Sequence, residues 1–382
     1  MRFDSLALLS LACLVSLFPP QRESRGQDHR VSSPPPTTAR LKKLIEFGWD
    51  EPDTAFLRSR VRELERTPFD GTVFHVVVRG AKGNIENFAW LCWGKRSFTL
   101  DEVRPAIDDL TALRSTRLKH NFLRFNTTPA DLDWFDDHGA VIANARLAAR
   151  IARSGSCDGI LLDTEQYQGK LFDYPKQKLA KERRWAEYAA QAARRGSEVM
   201  TAFQEGYPDL TVLVTFGHSY LWKKTDGGKK SLADCECGLL VPFLDGMIAA
   251  TKPRARIVDG HELSYGFRDP EQFETAERVI KSDAAALATD PEAYRRAISA
   301  GFGLWLDYNW PENGWSASKP AKNYFSPARF EQSLRAAIDR SSEYVWIYTE
   351  KCRWWSNRGG AVDLPEAYIE AVARSRRDLI GR

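Results

Sequence analysis

The chain has 382 residues, 43% of them hydrophobic, which is enough for a large buried core. α/β barrels of more than about 200 residues commonly fold as one domain. Its 55 Lys and Arg nearly balance 51 Asp and Glu, leaving a net charge of +4. No dense basic tract with interleaved aromatics occurs, so a nucleic-acid partner is not expected.

At the N-terminus, Arg2 precedes the apolar run Ser5 to Phe18. That run is shorter than the roughly 20 residues of a membrane-spanning helix, and it reads as an export signal within residues 1–26. Ser10 stands where a lipoprotein signal ahead of Cys13 wants an aliphatic residue. Pro19 to Arg40 is rich in Pro, Ser, Thr, Arg and Gln without apolar periodicity, so residues 27–39 are expected to form a disordered linker. The expected product is an exported protein, periplasmic or secreted, with no membrane span in its mature part.

From residue 40 onward, short apolar runs alternate with longer amphipathic stretches. Leu44 to Trp49 reads as the first strand and Thr54 to Arg66 as a helix, with Asp50, Asp53 and Thr54 as capping candidates. Gly71 to Val78 is the second strand, Asp101 to Ser115 a helix, His120 to Asn126 the third strand, and Gly139 to Arg153 a helix. Gly159 to Asp163 is continuously aliphatic up to its terminal Asp, as suits a parallel strand buried on both faces. Next come a helix over Lys178 to Glu205 and a fifth strand over Leu210 to Phe216. Leu239 to Ala250 favours a helix. Arg256 to Gly260 is the sixth strand, Pro270 to Ser299 helical, Gly303 to Asp307 the seventh strand, Pro327 to Arg340 helical and Tyr344 to Thr349 the eighth. Eight strands alternating with helices predict a single (β/α)8 TIM barrel over residues 40–382. Gly80-Ala81-Lys82-Gly83 lacks P-loop spacing, and no Gly-rich phosphate turn comes after the first strand.

In such a barrel the active site lies at the C-terminal strand ends. The end of the first apolar run carries Trp49, the third Arg124 and Asn126, and the fourth Asp163, Glu165 and Tyr167. The fifth leads to His218, the sixth to Glu262 and Tyr265, the seventh to Asp307 and Trp310, and the eighth to Glu350 and Trp354. Carboxylates, amides and aromatics at one rim are the equipment of a sugar site. Asp163, Glu165, Glu262 and Glu350 are the catalytic candidates, expected around one cleft with Trp310 or Trp354 nearby. Trp49, Arg124, Asn126, Tyr167, His218, Tyr265, Asp307, Trp310 and Trp354 are the substrate-binding candidates. Asp163 and Glu165 are two apart, so an extended strand end points both the same way. Close carboxylates raise one another's pKa, which lets one donate a proton while the other stays ionised.

The segment Cys157 to Glu165 resembles the fourth-strand signature of family 18 chitinases, an Asp-Gly followed by alternating acids ending in Glu. Asp158, Gly159, Asp163 and Glu165 match, while Leu161 replaces the inner acid. The segment is also similar to the Asp-Gly-aliphatic-Leu-Asp-Thr strand of family 114 polygalactosaminidases. The first resemblance implies Glu165 as the acid; the second implies Asp163 as nucleophile and Glu262 as acid. Both point to the TIM-barrel glycoside hydrolase superfamily and to neither substrate.

A metal or other cofactor is not expected. Phe47-Gly48-Trp49 stands where barrel metallohydrolases carry a first-strand HxH. Cys235 and Cys237 form half a zinc motif with no completing pair. The other cysteines beyond the signal are Cys92, Cys157 and Cys352, so at least one of the five is unpaired within a monomer. A G-x-S-x-G elbow is also missing. The expectation is an enzyme that cleaves glycosidic bonds in an oligo- or polysaccharide. The rivals are a non-catalytic sugar-binding barrel and a polysaccharide lyase or transferase.

Overall fold

The computed structural model describes residues 41–80, 82–310, 314–356 and 359–380. The export signal and linker read from the sequence lie outside the described residues.

The first strand, β1 (Lys43–Gly48), is buried along nearly its whole length. Helix α1 (Thr54–Leu64) starts at Asp53, whose carboxylate accepts the Phe56 N–H at 2.7 Å. Asp50 is instead held by the backbone N–H of Trp354, at 2.5 Å. Strand β2 (Gly71–Phe74) is shorter than its apolar run implied. After His75 the chain leaves the barrel as a hairpin, β3 (Val77–Arg79) against β4 (Ile85–Asn87), and then forms the one-turn helix α2 (Phe88–Leu91). A reciprocal Thr99/Glu102 capping box opens α3 (Leu100–Ala112). Strand β5 (Phe122–Asn126), helix α4 (Gly139–Ser154) and strand β6 (Gly159–Asp163) lie close to the bounds expected from the sequence.

Helix α5 (Trp185–Gly206) begins later than expected, behind the Glu187 carboxylate that accepts the Arg184 N–H at 3.0 Å. Strand β7 (Thr211–Val214) leads to helices α6 (His218–Lys224) and α7 (Leu240–Ala250), then β8 (Arg256–Asp259). The helix expected over Pro270 to Ser299 is broken. It is divided into α8 (Pro270–Lys281) and α9 (Pro291–Ala297), the second restarted by Asp290, which accepts the N–H groups of Glu292 and Ala293. Pro291 fits this restart because a first-turn residue has no carbonyl to donate to. The chain then runs as β9 (Ile298–Ala300), β10 (Phe302–Trp305), α10 (Pro327–Arg340), β11 (Tyr344–Thr349) and α11 (Glu366–Ile380).

The sheet order is β10-β11-β1-β2-β5-β6-β7-β8-β9, with every neighbouring pair parallel. The two end strands, β9 and β10, are separated in the chain by Gly301 alone, so they form one bent stave and the barrel is nearly closed. This is a TIM barrel. Side chains alternate across each strand. One set, including Ile45, Val73, Phe122, Leu161, Leu213, Val258 and Trp346, fills the interior. The other, including Leu44, Leu123, Ile160, Leu162 and Val212, packs with the helices. Burial on both sides explains the unbroken aliphatic run of β6. Leu161, at the position of the chitinase inner acid, is therefore a barrel-core side chain. Gly71 is required for packing, because a Cβ there would lie 1.9 Å from the His120 carbonyl oxygen.

The N-terminal end of the barrel has its own polar seal. Asp158 accepts the Tyr344 hydroxyl at 2.6 Å and lies 3.0 Å from His120 Nδ1. Its place in the matched segment is thus structural. Nearby, Glu343 pairs with Lys43 and Arg256.

A second tie holds the turn before β5. Glu65 Oε1 accepts the Arg117 N–H at 2.8 Å and the Ser115 hydroxyl at 2.9 Å, with the Thr116 N–H as a further donor. Burial opposes the charge, but these donors outweigh it and bring the Glu65 carboxyl to about 2. A depressed carboxyl contributes stability above its unfolded value, and that contribution fades as pH falls through the folded one. Glu65→Ala is expected to cost about 1–3 kcal/mol at neutral pH. In urea unfolding the loss should shrink as pH falls from about 4.5 to about 2. A pH-independent loss would mean that packing, not the charged tie, is responsible.

Candidate active site

A cleft of about 570 Å³ opens where the strands end. Strand β1 and the turn after it supply Phe47, Trp49 and Glu51; His75 comes after β2, and Asn87 and Trp90 belong to the hairpin and α2. Arg124 stands on β5. Asp163 closes β6, with Glu165 and Tyr167 beyond it. Thr215 lies just past β7, Glu262 and Tyr265 lie past β8, Trp305 ends β10, and Tyr348 and Glu350 come from the end of β11. The four catalytic candidates therefore share one cavity.

Arg124 is the hub. Phe122 and Arg124 project from the same side of β5, the first into the apolar interior and the second into the cleft above it. Its guanidinium donates to Asn126 Oδ1 at 2.7 Å, Glu51 Oε2 at 2.9 Å and Asp163 Oδ2 at 2.8 Å. It also lies over the rings of Phe47 and Trp90, 5.1 and 5.2 Å from their centroids. Arg124 is only 12% exposed, and at that burial a planar, permanently charged fork suits two carboxylates better than an ammonium does. Burial opposes ionisation of Glu51, yet Arg124 and His75 together hold its carboxyl below the ordinary value. His75 Nδ1 is at ion-pair distance, 3.2 Å from Glu51 Oε1, without hydrogen-bond alignment.

Asp163 is fully occupied. Oδ2 accepts from Arg124 and from the Tyr167 hydroxyl at 2.9 Å; Oδ1 accepts from the Glu165 N–H at 3.1 Å and the Thr215 hydroxyl at 3.2 Å. Four donors match the roughly four acceptor sites of a carboxylate. Asp163 is thereby fixed in place, and little of its lone-pair density is left to attack a carbon atom.

Glu165 and Glu262 are different. Burial raises the Glu165 carboxyl, and Asp163 raises it further. Glu262 is pushed well above the ordinary range by burial, then by the charges of Glu165 and Asp163. The same surroundings raise the Tyr265 hydroxyl, with burial the larger cause and Glu262 the next. Glu350 is also raised, by burial and by Asp307.

Glu262 reaches the cleft through a strained turn. His261 has φ 44° and ψ 59°, a left-handed conformation that costs a non-glycine residue on the order of 1–3 kcal/mol. The surroundings fix it. The His261 N–H donates to Asp259 Oδ1 at 3.0 Å, and its Nδ1 lies 2.8 Å from the Ser219 hydroxyl. The Ser264 hydroxyl donates to its carbonyl at 2.7 Å, and the Glu262 N–H donates to Thr215 O at 3.1 Å. Asp259 binds backbone N–H groups of His261 and Ser219. The cluster is thus a turn lock, without the carboxylate-to-imidazole bond of a Ser-His-Asp triad.

Five substrate-binding candidates lie outside the cavity lining. Asn126 is buried beneath Arg124 and orients it. His218 turns outward because the chain leaves the barrel at Gly217 to start α6; its Nε2 is 2.8 Å from Asp245 Oδ1 and its ring packs on Tyr294. Asp307 is buried and anchors the segment after β11, accepting the N–H groups of Glu350 at 3.0 Å and Cys352 at 2.9 Å, and Trp305 Nε1 at 2.8 Å. Trp354, 3% exposed, packs edge-on against Phe69 in the helix layer. Trp310 is 69% exposed but is not part of the cleft wall. The aromatic surfaces there belong to Phe47, Trp49, Trp90, Tyr167, Tyr265, Trp305 and Tyr348.

Several cleft residues do not stand out in the sequence. Glu51 is visible there only as an acid after the first strand. Tyr348 comes after Tyr344 and Trp346 at a spacing of two, which puts it on the interior face. His75 is hidden inside an apolar run that reads as one strand, and Trp90 lies on an insertion no periodicity announces.

The five cysteines Cys92, Cys157, Cys235, Cys237 and Cys352 are free and buried. Among the described residues, no three His, Cys, Asp or Glu side chains converge as a metal site would require, and no helix is long and apolar enough to cross a membrane.

No protein-family model matches the chain, and no curated protein matches it. Among solved structures it is similar to a glycoside hydrolase family 5 enzyme from Prevotella bryantii, crystallised with a xyloglucan tetradecasaccharide. The identity is 12% over 85% of each chain, with a TM-score of 0.41. A psychrophilic family 10 endo-β-1,4-xylanase is 11% identical over 87% of this chain and 96% of its own, also at 0.41. A sugar phosphate isomerase/epimerase from Parabacteroides distasonis is 9% identical over 89% and 94%, at 0.34.

Proposed function

We propose that the protein is an exported hydrolase of glycosidic bonds in oligo- or polysaccharides. The observation that carries this reading is the contrast among three carboxyl groups in one aromatic-walled cleft. Glu262 is pushed well above its ordinary value by burial and by the charges of Glu165 and Asp163, while Asp163 is clamped by Arg124, Tyr167 and Thr215. A neutral acid beside fixed negative charge is what protonation of a leaving oxygen requires near neutral pH.

Glu262 donates its proton to the glycosidic oxygen, which takes the electron pair of the breaking C–O bond. The positive charge developing at the anomeric carbon faces the anionic floor formed by Asp163. Glu165 supplies the second carboxylate. It either takes a proton from the attacking water or bonds to the anomeric carbon and is later released by water; the first course inverts the configuration and the second retains it. Tyr265, Trp90 and Trp305 offer ring faces to the sugar. Asp163 as nucleophile, the role implied by the polygalactosaminidase resemblance, is disfavoured by its four donors.

The test is a hydrolysis screen of the purified chain on glucan, xylan, mannan, chitin and galactosaminan oligosaccharides, with the fresh product's anomer read by NMR. Turnover that disappears in Glu262→Gln supports the reading. Binding without turnover by the unaltered chain would make it a sugar-binding barrel, and an unsaturated product would make it a lyase.

A further inference from the structure

The cleft continues beyond Trp49. A second hollow of about 370 Å³ shares the walls formed by Trp49, Glu51 and His75 and is completed by Phe56, Arg353 and Trp355 among others. The ridge between the two is well fixed. Trp49 Nε1 donates to the Tyr348 hydroxyl at 2.8 Å, on the cleft side. Glu51 gives one oxygen to Arg124 at 2.9 Å and keeps the other 3.2 Å from His75 Nδ1. Arg353 is held in place through its Nη1, which donates to the carbonyls of Glu350 and Cys352.

Trp49 is the anomaly on this ridge. Its indole is 67% exposed, although burying a large apolar side chain is worth about 1.5–3 kcal/mol. A ring kept in solvent by a specific hydrogen bond, between two hollows lined with polar groups, has the form of a stacking platform for a pyranose ring. We propose that the substrate is a chain of linked sugars that crosses Trp49, with one unit against Glu262 and Glu165 and a further unit in the hollow between Trp49 and Arg353. This inference rests on the glycosidase reading and adds the length of the substrate to it. The chain is bound on both sides of the ridge, and short oligosaccharides fill only part of the site.

The experiment uses the full chain carrying Glu262→Gln, so that binding is read without turnover. Calorimetry is performed with cello-, xylo-, manno-, chito- and galactosamino-oligosaccharides from disaccharide to hexasaccharide. Affinity is expected to rise about tenfold or more between disaccharide and tetrasaccharide within the class that binds, as one added charge-assisted hydrogen bond would give. Adding Arg353→Ala is expected to weaken tetrasaccharide binding about tenfold more than disaccharide binding. The length series needs no change in the hollow, so it stands even if that variant folds poorly. Affinity independent of length, or an equal loss at every length in Arg353→Ala, overturns the second subsite and leaves the glycosidase reading in place. No binding by any of these sugars removes both.

Discussion

Glu262→Gln is expected to lower turnover by about 10²–10⁴-fold, the usual worth of a positioned general acid, with little change in substrate affinity. The amide keeps the shape of the carboxyl but has no proton to release. In the unaltered protein, burial and the charges of Glu165 and Asp163 hold that proton to higher pH than a carboxyl in water would. Activity should therefore fall as pH rises through the elevated value, and that alkaline limb should be absent in the variant. Stability has the same sign. A raised carboxyl favours the fold fully below its unfolded value, and the advantage is lost as pH rises through the folded one. Comparing kcat and kcat/KM across pH separates a lost acid from a lost contact. Near-normal turnover in Glu262→Gln beside a dead Glu165→Gln would transfer the donor role to Glu165, as the chitinase resemblance implies.

Arg124→Met is expected to be the most damaging change to the fold of the site, costing roughly 3–5 kcal/mol of stability because it strands buried carboxylates without a partner. Asp163 loses a 2.8 Å bond and Glu51 a 2.9 Å bond in one step, while the methionine keeps contact with Phe47 and Trp90. Without the guanidinium, burial dominates Glu51 and favours its neutral form. The deficit in urea unfolding should then narrow as pH falls and the stranded carboxylates take up protons. Adding Asp163→Asn should recover part of the loss. A deficit below about 1 kcal/mol, the range of exposed ion pairs, would show that solvent rather than Arg124 balances these charges.

What the sequence made legible is what strand periodicity and capping chemistry encode locally. Gly159 to Asp163, Pro327 to Arg340 and Tyr344 to Thr349 keep their expected bounds, because the two strands are buried on both faces and the helix starts at a Ser-Pro cap. Gly71 to Val78 misled because both of its halves are strands. Only the change of partner at His75, a tertiary event, divides them. In the site, the spacing of two put Asp163 and Glu165 together at one strand end, and the rule that function gathers at strand ends brought them into one cleft with Glu262 and Glu350. That rule does not say which way a loop residue turns. Asp307, two residues past β10, faces backbone N–H groups, and His218, four past β7, faces Asp245, whereas Asp163 is the last residue of β6 itself. The left-handed turn at His261 that aims Glu262 is fixed by Asp259 and by Ser219 of another element, a tertiary contact that local sequence does not name.

The most direct test of the central claim needs no substrate. The side-chain carboxyls of the full protein can be titrated by ¹³C NMR, and the Glu262 signal assigned by its disappearance in Glu262→Gln. The expected result is a Glu262 carboxyl that stays protonated well above the ordinary value of about 4.5 and falls toward it when Asp163→Asn removes one of the neighbouring charges. A Glu262 signal that titrates at or below 4.5 in the unaltered protein would contradict its assignment as the proton donor.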